Sequence, residues 1–100
     1  MIIVLAKNIY QDIMKFIKFR EAELSSTQEL KVFLINYPQF EVTRIGRVGD
    51  NYLIFAGQSS QGIHTTLLLP AEAQPLNLVT VDLSDQPDIR PNRIGFLEHS

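Results

Sequence analysis

The chain has no cysteine. Disulfide bonds, thiol nucleophiles, iron–sulfur ligation and cysteine-ligated zinc are therefore excluded. A chain without cysteine suits a reducing compartment, where disulfides are not maintained. We accordingly expect a cytoplasmic protein.

The chain also lacks an excess of basic residues. It contains 9 Lys and Arg against 11 Asp and Glu, which gives a formal net charge of −2. The first half carries seven basic and six acidic residues, and the second half carries two basic and five acidic residues. Because nucleic-acid binding depends largely on phosphate neutralisation, a nucleic-acid partner is not the first expectation. A small local basic patch remains compatible with this composition.

Long hydrophobic runs are absent as well. Residues 1–6 are apolar, but the run ends at Lys7, no basic segment precedes it, and no small-residue cleavage site follows it. A membrane-spanning helix needs ~20 apolar residues, and a signal peptide needs the flanking features that are missing here. The expectation is a soluble protein with no signal peptide and no membrane contact.

The remaining composition is that of a single globular domain spanning residues 1–100, because 45% of the residues are hydrophobic and the length leaves no room for a second core. Its helical part is expected at 9–37. Within it, apolar residues at steps of three and four predict a first helix from Ile9 to Leu24. Residues 1–6 fit either a short strand or the start of a longer helix.

A second helix is predicted from Thr27 to Asn36. Ser26 and Glu29 have the spacing of a capping box. In this motif the serine hydroxyl accepts the backbone N–H of the glutamate, and the glutamate carboxylate accepts the backbone N–H of the serine. Leu30, Phe33 and Leu34 would then share one helical face, and the helix would end before a proline.

Residues 40–83 have the pattern of four strands in an antiparallel β-meander, with turn-forming residues between the apolar runs. The tail, residues 84–100, is rich in helix-breaking residues and is expected to lie along a sheet edge, with a short strand at 94–97. The predicted fold is therefore α+β, with two N-terminal helices packed on a four-stranded antiparallel meander. Its core is predicted to contain the following residues: Leu30, Phe33, Leu34, Ile54, Leu67, Leu69, Val79 and Val81.

The first hairpin of the meander holds one candidate binding site. Arg44 and Arg47 flank Gly46, where the apolar alternation slips and a β-bulge is predicted. The segment matches neither the phosphate-binding P-loop nor the dinucleotide fingerprint. It is compatible with an anion or acidic-partner site, provided that the bulge brings both guanidinium groups to one side. The alternative is a pair of solvated arginines that guard a sheet edge.

His64 is the second candidate, with Tyr52 or Arg47 as neighbours that the fold could bring to it. A metal site needs three or four converging donors, and catalysis needs a group that orients the imidazole. The sequence shows neither, so no catalytic residue, no metal and no cofactor are predicted.

No segment matches the motif set of a known family. The leading hypothesis is a small non-catalytic binding or regulatory module that acts through protein contacts, as a homodimer or with a protein partner. A first alternative is nucleic-acid binding by the helix pair and the Arg44/Arg47 hairpin. A second alternative is an enzyme of unrecognised type with His64 in its site.

Overall fold

The computed structural model describes residues 6–72 and 74–99, and these form one helix and six strands. The elements in chain order are α1 Ala6–Ala22, β1 Gln28–Leu34, β2 Tyr37–Val48, β3 Tyr52–Ser59, β4 His64–Pro70, β5 Leu76–Asp82 and β6 Gly95–His99. The predicted arrangement of two helices on a four-stranded meander is therefore wrong. The fold is mostly β-sheet. The question whether residues 1–5 continue the helix lies outside the described residues.

The predicted second helix is strand β1. Leu30, Val32 and Leu34 are buried while Lys31 and Phe33 are only half-buried, which is the period-two pattern of a strand with one covered face. The same segment also satisfies a helical period, because it is apolar at nearly every position. β-branched and aromatic residues favour the strand, and pairing with β2 and β5 on its two sides decides the outcome.

The strand order also differs from a simple meander. β2, β3 and β4 are consecutive antiparallel neighbours as predicted, but β5 pairs with β1 and not with β4. The order across the sheet is β4-β3-β2-β1-β5. β4 and β5 are therefore the two outer strands of this series, and β6 lies off it, paired with β2 alone.

This order requires a strongly curved sheet. Pro70, the last residue of β4, aligns through β3 with Val48 at the end of β2. Leu76, the first residue of β5, aligns through β1 with Tyr37 at the start of β2. A straight β2 would separate these levels by about 36 Å, while residues 71–75 connect them with a reach of roughly 20 Å. The sheet must therefore curl, and α1 lies on its inner face.

β2 changes its partner halfway along its length. Residues 37–42 pair with β1, and residues 44–48 pair with β6, while β3 lies along the other side. The register shifts between Val42 and Arg44, so the bulge predicted beside Gly46 lies earlier in the strand. A bulge bends its strand, which allows β1 and β6 to share one side of β2.

β6 is the short strand expected in the tail at 94–97. It spans Gly95–His99, pairs with β2 in parallel orientation, and covers the part of that side of β2 which β1 leaves unpaired. Gly46 makes this possible, because a Cβ atom there would lie 2.6 Å from the carbonyl oxygen of Leu97. A residue with a side chain would force the two backbones apart.

A single core fills the space between α1 and the sheet, and each large apolar side chain buried there contributes roughly 1.5–3 kcal/mol. Its buried apolar residues are Ala6, Tyr10, Ile17, Leu30, Val32, Leu34, Phe40, Val42, Ile45, Leu53, Phe55 and Ala71. Leu67 and Leu69 pack against this core. The other predicted core residues, Phe33, Ile54, Val79 and Val81, lie on the opposite side of the sheet, which we call the open face.

Two nearly buried carboxylates hold the segment that leads into β6. Glu21 Oε2 accepts the backbone N–H of Ile94 at 2.9 Å, and Glu29 Oε1 accepts that of Asn92 at 2.8 Å. Hydrogen bonds to a charged acceptor are worth about 1.5–3 kcal/mol each. Glu29 therefore serves a distant part of the chain and not the helix cap that its spacing from Ser26 suggested.

Candidate protein-binding edge

The hairpin of β3 and β4 is closed by a turn that the local sequence builds. Ser59 Oγ accepts the backbone N–H groups of Gln61 and Ile63 at 3.2 and 3.3 Å. Gly62 has a positive φ of 79°, which a residue with a side chain rarely adopts. This turn sets the register in which β4 lies against β3.

The register determines which backbone groups of β4 face outward. At one end of the hairpin, the N–H of Ser59 donates to the carbonyl of Ile63, and at the other end that of Ala71 donates to Asn51. Bonding groups alternate along an antiparallel ladder, so the odd-numbered residues of β4 bond to β3. The N–H groups of His64, Thr66 and Leu68 therefore point away from the sheet. We call this row of outward-facing groups on His64–Pro70 the β4 edge.

No charged residue protects the β4 edge. Between Asp50 and Glu72 the chain contains no Asp, Glu, Lys or Arg. Ile63 and Leu68 are 59% and 56% exposed at this side of the molecule. Natural sheets usually cover an outer strand or mark it with charges or bulges, because an exposed strand is a template for further pairing. The β4 edge has the properties of a strand that accepts another strand.

A shallow groove borders β4 on each face of the sheet. The groove on the helix side has a volume of about 300 Å³ and includes Thr65 and Leu67 in its lining. The groove on the open face measures about 240 Å³ and includes Thr66 and Arg44. Side chains of an added strand alternate between the two faces, so each groove lies where alternate side chains would point.

The opposite outer strand presents a different edge. The N–H of Ile35 donates to the carbonyl of Pro75, and that of Leu83 donates to Thr27, so the even-numbered residues of β5 face outward. We call this row on Leu76–Asp82 the β5 edge. It ends in a carboxylate that accepts the backbone N–H of Ser84 at 2.9 Å. That bond, reinforced by the hydroxyls of Ser84 and Thr27, lowers the pKa of Asp82.

The structure does not bring the two predicted arginines together. Arg44 is exposed on the open face, whereas Arg47 is buried on the helix side and donates from Nη1 to the carbonyl of Gly49 at 2.7 Å. The shared anion site required a bulge at Gly46, and the bulge lies before Arg44. One guanidinium borders the open-face groove, and the other supports the β2–β3 turn.

His64 and Tyr52 occupy opposite ends of the β3–β4 hairpin. His64 is exposed and pairs with Gln58, while Tyr52 is 44% exposed and pairs with Pro70. They are separated by the length of β4, roughly 20 Å. The carboxylate in the cross-strand row of His64 belongs to Glu41, two strands away, where it lies 3.4 Å from Lys31 Nζ. His64 is part of the β4 edge, and Tyr52 is not beside it.

Two structural findings concern metal ligation and membrane-spanning helices. Within residues 6–72 and 74–99, no group of three or more His, Cys, Asp or Glu side chains is arranged to hold a metal ion. In the same part of the chain, no helix is long and apolar enough to cross a membrane. Neither finding identifies a function.

Comparison with protein-family models, with curated proteins and with solved structures gave no significant match to this chain. The candidate site therefore depends on geometry alone.

Sequence reasoning named residues on β4 but missed the edge itself. An available signal was the uncharged interval from Asn51 to Ala71, which is unusual for a hairpin with one side open to solvent. The signal was incomplete, because the four-stranded prediction placed β5 beside β4 and so covered this edge.

Proposed function

We propose that this protein is a small non-catalytic binding module that pairs the β4 edge with an extended strand of a protein partner. The observation that carries the proposal is the combination of outward backbone groups at His64, Thr66 and Leu68 with an interval free of charge. In this mode of recognition, backbone hydrogen bonds supply affinity, and side-chain positions on alternate faces supply specificity. A cytoplasmic location is part of the proposal, because a cysteine-free chain needs no oxidising compartment.

The helix-based form of the nucleic-acid hypothesis is not carried forward. It required a helix pair, and the second predicted helix is β1. The enzyme hypothesis required a partner that orients His64, and the residue paired with it across the hairpin is Gln58. Neither alternative is favoured by a specific observation.

Photo-crosslinking from the two outer strands tests the proposal. Thr66→p-benzoylphenylalanine places a reactive group at the middle of the β4 edge, and Thr80→p-benzoylphenylalanine is its match on the β5 edge. Both threonines are exposed, and both belong to the outward-facing series. In cells that produce the protein, we expect several-fold more protein adduct from position 66 than from position 80.

An edge-blocking variant makes the test specific to backbone pairing. Leu68→Pro removes an outward N–H but none that bonds to β3, so the hairpin should persist while strand addition is blocked. The adduct from position 66 should then fall to the level of position 80, with an unchanged circular dichroism spectrum. Equal labelling from both positions, or labelling that survives Leu68→Pro, would contradict the proposed function.

A further inference from the structure

We infer that the strand received by the β4 edge is the β4 strand of a second copy of this chain, and that the two copies form an antiparallel dimer around a two-fold axis near Thr66 and Leu67. This inference rests on the proposed function of the β4 edge. It adds the identity of the partner and the orientation of the two strands.

The backbone of β4 is complementary to itself. Outward N–H and C=O groups alternate with inward ones from His64 to Leu68, and Pro70, which has no N–H, closes the series. In a two-fold antiparallel pair, each outward N–H of one copy faces an outward carbonyl of the other. About six hydrogen bonds form in either register centred on Thr66 or Leu67. In the register centred on Leu67, Pro70 faces His64 of the other copy and leaves that carbonyl without a donor, whereas the register centred on Thr66 needs no donor from Pro70.

The side chains of β4 are also compatible with this pairing. Residues of the same parity meet across a two-fold antiparallel axis, so Leu67 and its neighbours Thr65 and Leu69 meet their counterparts on the helix side. The helix-side groove that Leu67 lines lies directly beside this contact. On the open face, the exposed Leu68 meets Thr66 or His64 of the other copy, depending on the register.

Charge is the feature that favours a second copy over an unrelated strand. Partner choice in strand pairing is commonly set by complementary charges, and like charges that face each other oppose self-pairing. β4 and the turn before it carry neither sign. Two copies can therefore pair without opposing charges on the strands, whereas a charged strand would meet no complementary group on β4 itself, and the nearby Arg44 borders only the open-face groove. The contact is small, so a dissociation constant on the order of micromolar is expected.

Sedimentation velocity of the full chain, from roughly 1 to 100 micromolar, should show a monomer at low concentration and a dimer at high concentration. This concentration range includes the expected dissociation constant of the dimer. Thr66→Lys places two like charges near the axis and should raise the dissociation constant at least tenfold. Thr80→Lys makes the same change at an exposed threonine on the β5 edge and should leave the constant within about twofold, in line with the small effect of a surface substitution outside an interface.

Single cysteines provide an independent readout, because the natural chain has none. Thr66→Cys or Leu67→Cys should form an intermolecular disulfide rapidly under mild oxidation, since one of the two positions lies directly across the axis. The variant that crosslinks faster shows whether the two strands are centred on residue 66 or on residue 67. Thr80→Cys, the matched control, should crosslink at least tenfold more slowly.

The outcomes separate this inference from the proposed function. A wild-type chain that stays monomeric, with positions 66 and 67 no faster to crosslink than position 80, overturns the self-pairing. A dimer that is broken by Thr80→Lys but not by Thr66→Lys also overturns it and assigns the contact to β5. If the photo-crosslink from position 66 captures a different protein while the chain remains a monomer, edge pairing stands and the second copy is excluded.

Discussion

The two outer strands of this sheet are alike in length and unlike in how they end. β4 and β5 each have seven residues, and each leaves the backbone groups of its even-numbered residues facing outward. β5 ends at Asp82, the first of an acidic series that continues with Asp85 and Asp88, whereas β4 lies within an interval without any charge. Charged residues on an outer strand oppose pairing with other chains. Both edges are unpaired in the sheet, and a charged residue marks the end of β5 but not of β4.

The strands also differ in what lies over them. A groove beside β5 is lined by residues of α1, including Ile13 and Ile17, so the helix approaches that strand. The helix-side groove beside β4 is lined by sheet and turn residues, including Phe40 and Leu67. β4 therefore extends beyond the part of the sheet that α1 covers. An open edge next to a partly uncovered inner face is suited to receiving a further strand and its side chains.

The largest effect on this comparison should come from Gly57→Ala, which acts on the β2–β3–β4 side. A Cβ atom at Gly57 would overlap the carbonyl oxygen of Glu41, and a backbone oxygen cannot move aside without separating β2 from β3. We expect a loss of about 3 kcal/mol in unfolding free energy, or roughly 15 °C in melting temperature. The measurement is thermal unfolding followed by circular dichroism.

Gly95→Ala is the matched control for this change. A Cβ atom there would meet Arg44 Cγ at 3.4 Å, an ordinary contact with a flexible side chain. The melting temperature should change by no more than about 3 °C. If Gly57→Ala melts as close to the wild type as Gly95→Ala does, the tight approach of β2 and β3 is not present in solution.

A smaller effect is expected on the side of β1, which carries β5. Glu29→Ala removes a nearly buried carboxylate together with the part-buried hydrogen bond that it accepts from the backbone N–H of Asn92, which should cost about 1–3 kcal/mol. Glu29→Gln keeps an oxygen acceptor and should cost less. Urea denaturation of both variants measures the difference.

Glu23→Ala supplies the exposed comparison. Its carboxylate is about half exposed and lies 3.3 Å from Arg20 Nη1, an arrangement worth at most about 1 kcal/mol. Equal losses for Glu29→Ala and Glu29→Gln would show that the acceptor for Asn92 does not matter. Equal losses for Glu29→Ala and Glu23→Ala would show that burial does not matter either.

The smallest effect concerns the acidic end of β5. The pKa of Asp82 lies below its ordinary value of 3.8, chiefly because the carboxylate accepts the backbone N–H of Ser84. A lowered pKa means that the charged form stabilises the fold above the unfolded-state pKa, and that this contribution is lost as the pH falls through the lower folded-state value. Asp82→Asn should therefore flatten the melting-temperature profile below about pH 4.

Asp88→Asn removes the same charge further along the tail and is the control for net charge. If the two variants flatten the acid profile equally, the bond from Ser84 to Asp82 has no separate contribution. If Asp82→Asn also promotes dimerisation at neutral pH, the Asp82 charge opposes strand pairing at the β5 edge. The two edges would then differ in charge protection as well as in sequence.

The sequence was most informative where local signals agreed with one another. The β3–β4 hairpin was recoverable because its alternating residues lie between glycine-containing turns, and both Gly49 and Gly62 adopt positive φ angles. The segment from Gln28 to Leu34 was not recoverable in this way. Its apolar residues fit both periods, and Glu29 resembled a helix cap while its true partner, Asn92, lies near the other end of the chain.

The candidate site was harder to predict than the strands that form it. The residues of β4 were named, but whether they form an edge depends on where β5 lies. That position is set by the curvature of the sheet and by the pairing of β5 with β1, and neither leaves a local mark near Thr66 or Leu76. Hydrophobic patterns identify strands, while their order across a sheet depends on contacts between distant segments.

The change of partner along β2 has a consequence for how fast and in what order the chain folds. The pairs that join β2 to β3 are close in sequence, whereas Arg44 pairs with Gly95 and Gln28 pairs with Asp82 across most of the chain. The entropic cost of closing such long loops is met before their contacts form, which makes them late events. The β2–β3–β4 hairpins are therefore expected to form before β5 and β6 join the sheet. Until β6 joins, the side of β2 that does not face β3 is unpaired at residues 44–48, and early folding intermediates expose this stretch in addition to the edges of the native sheet.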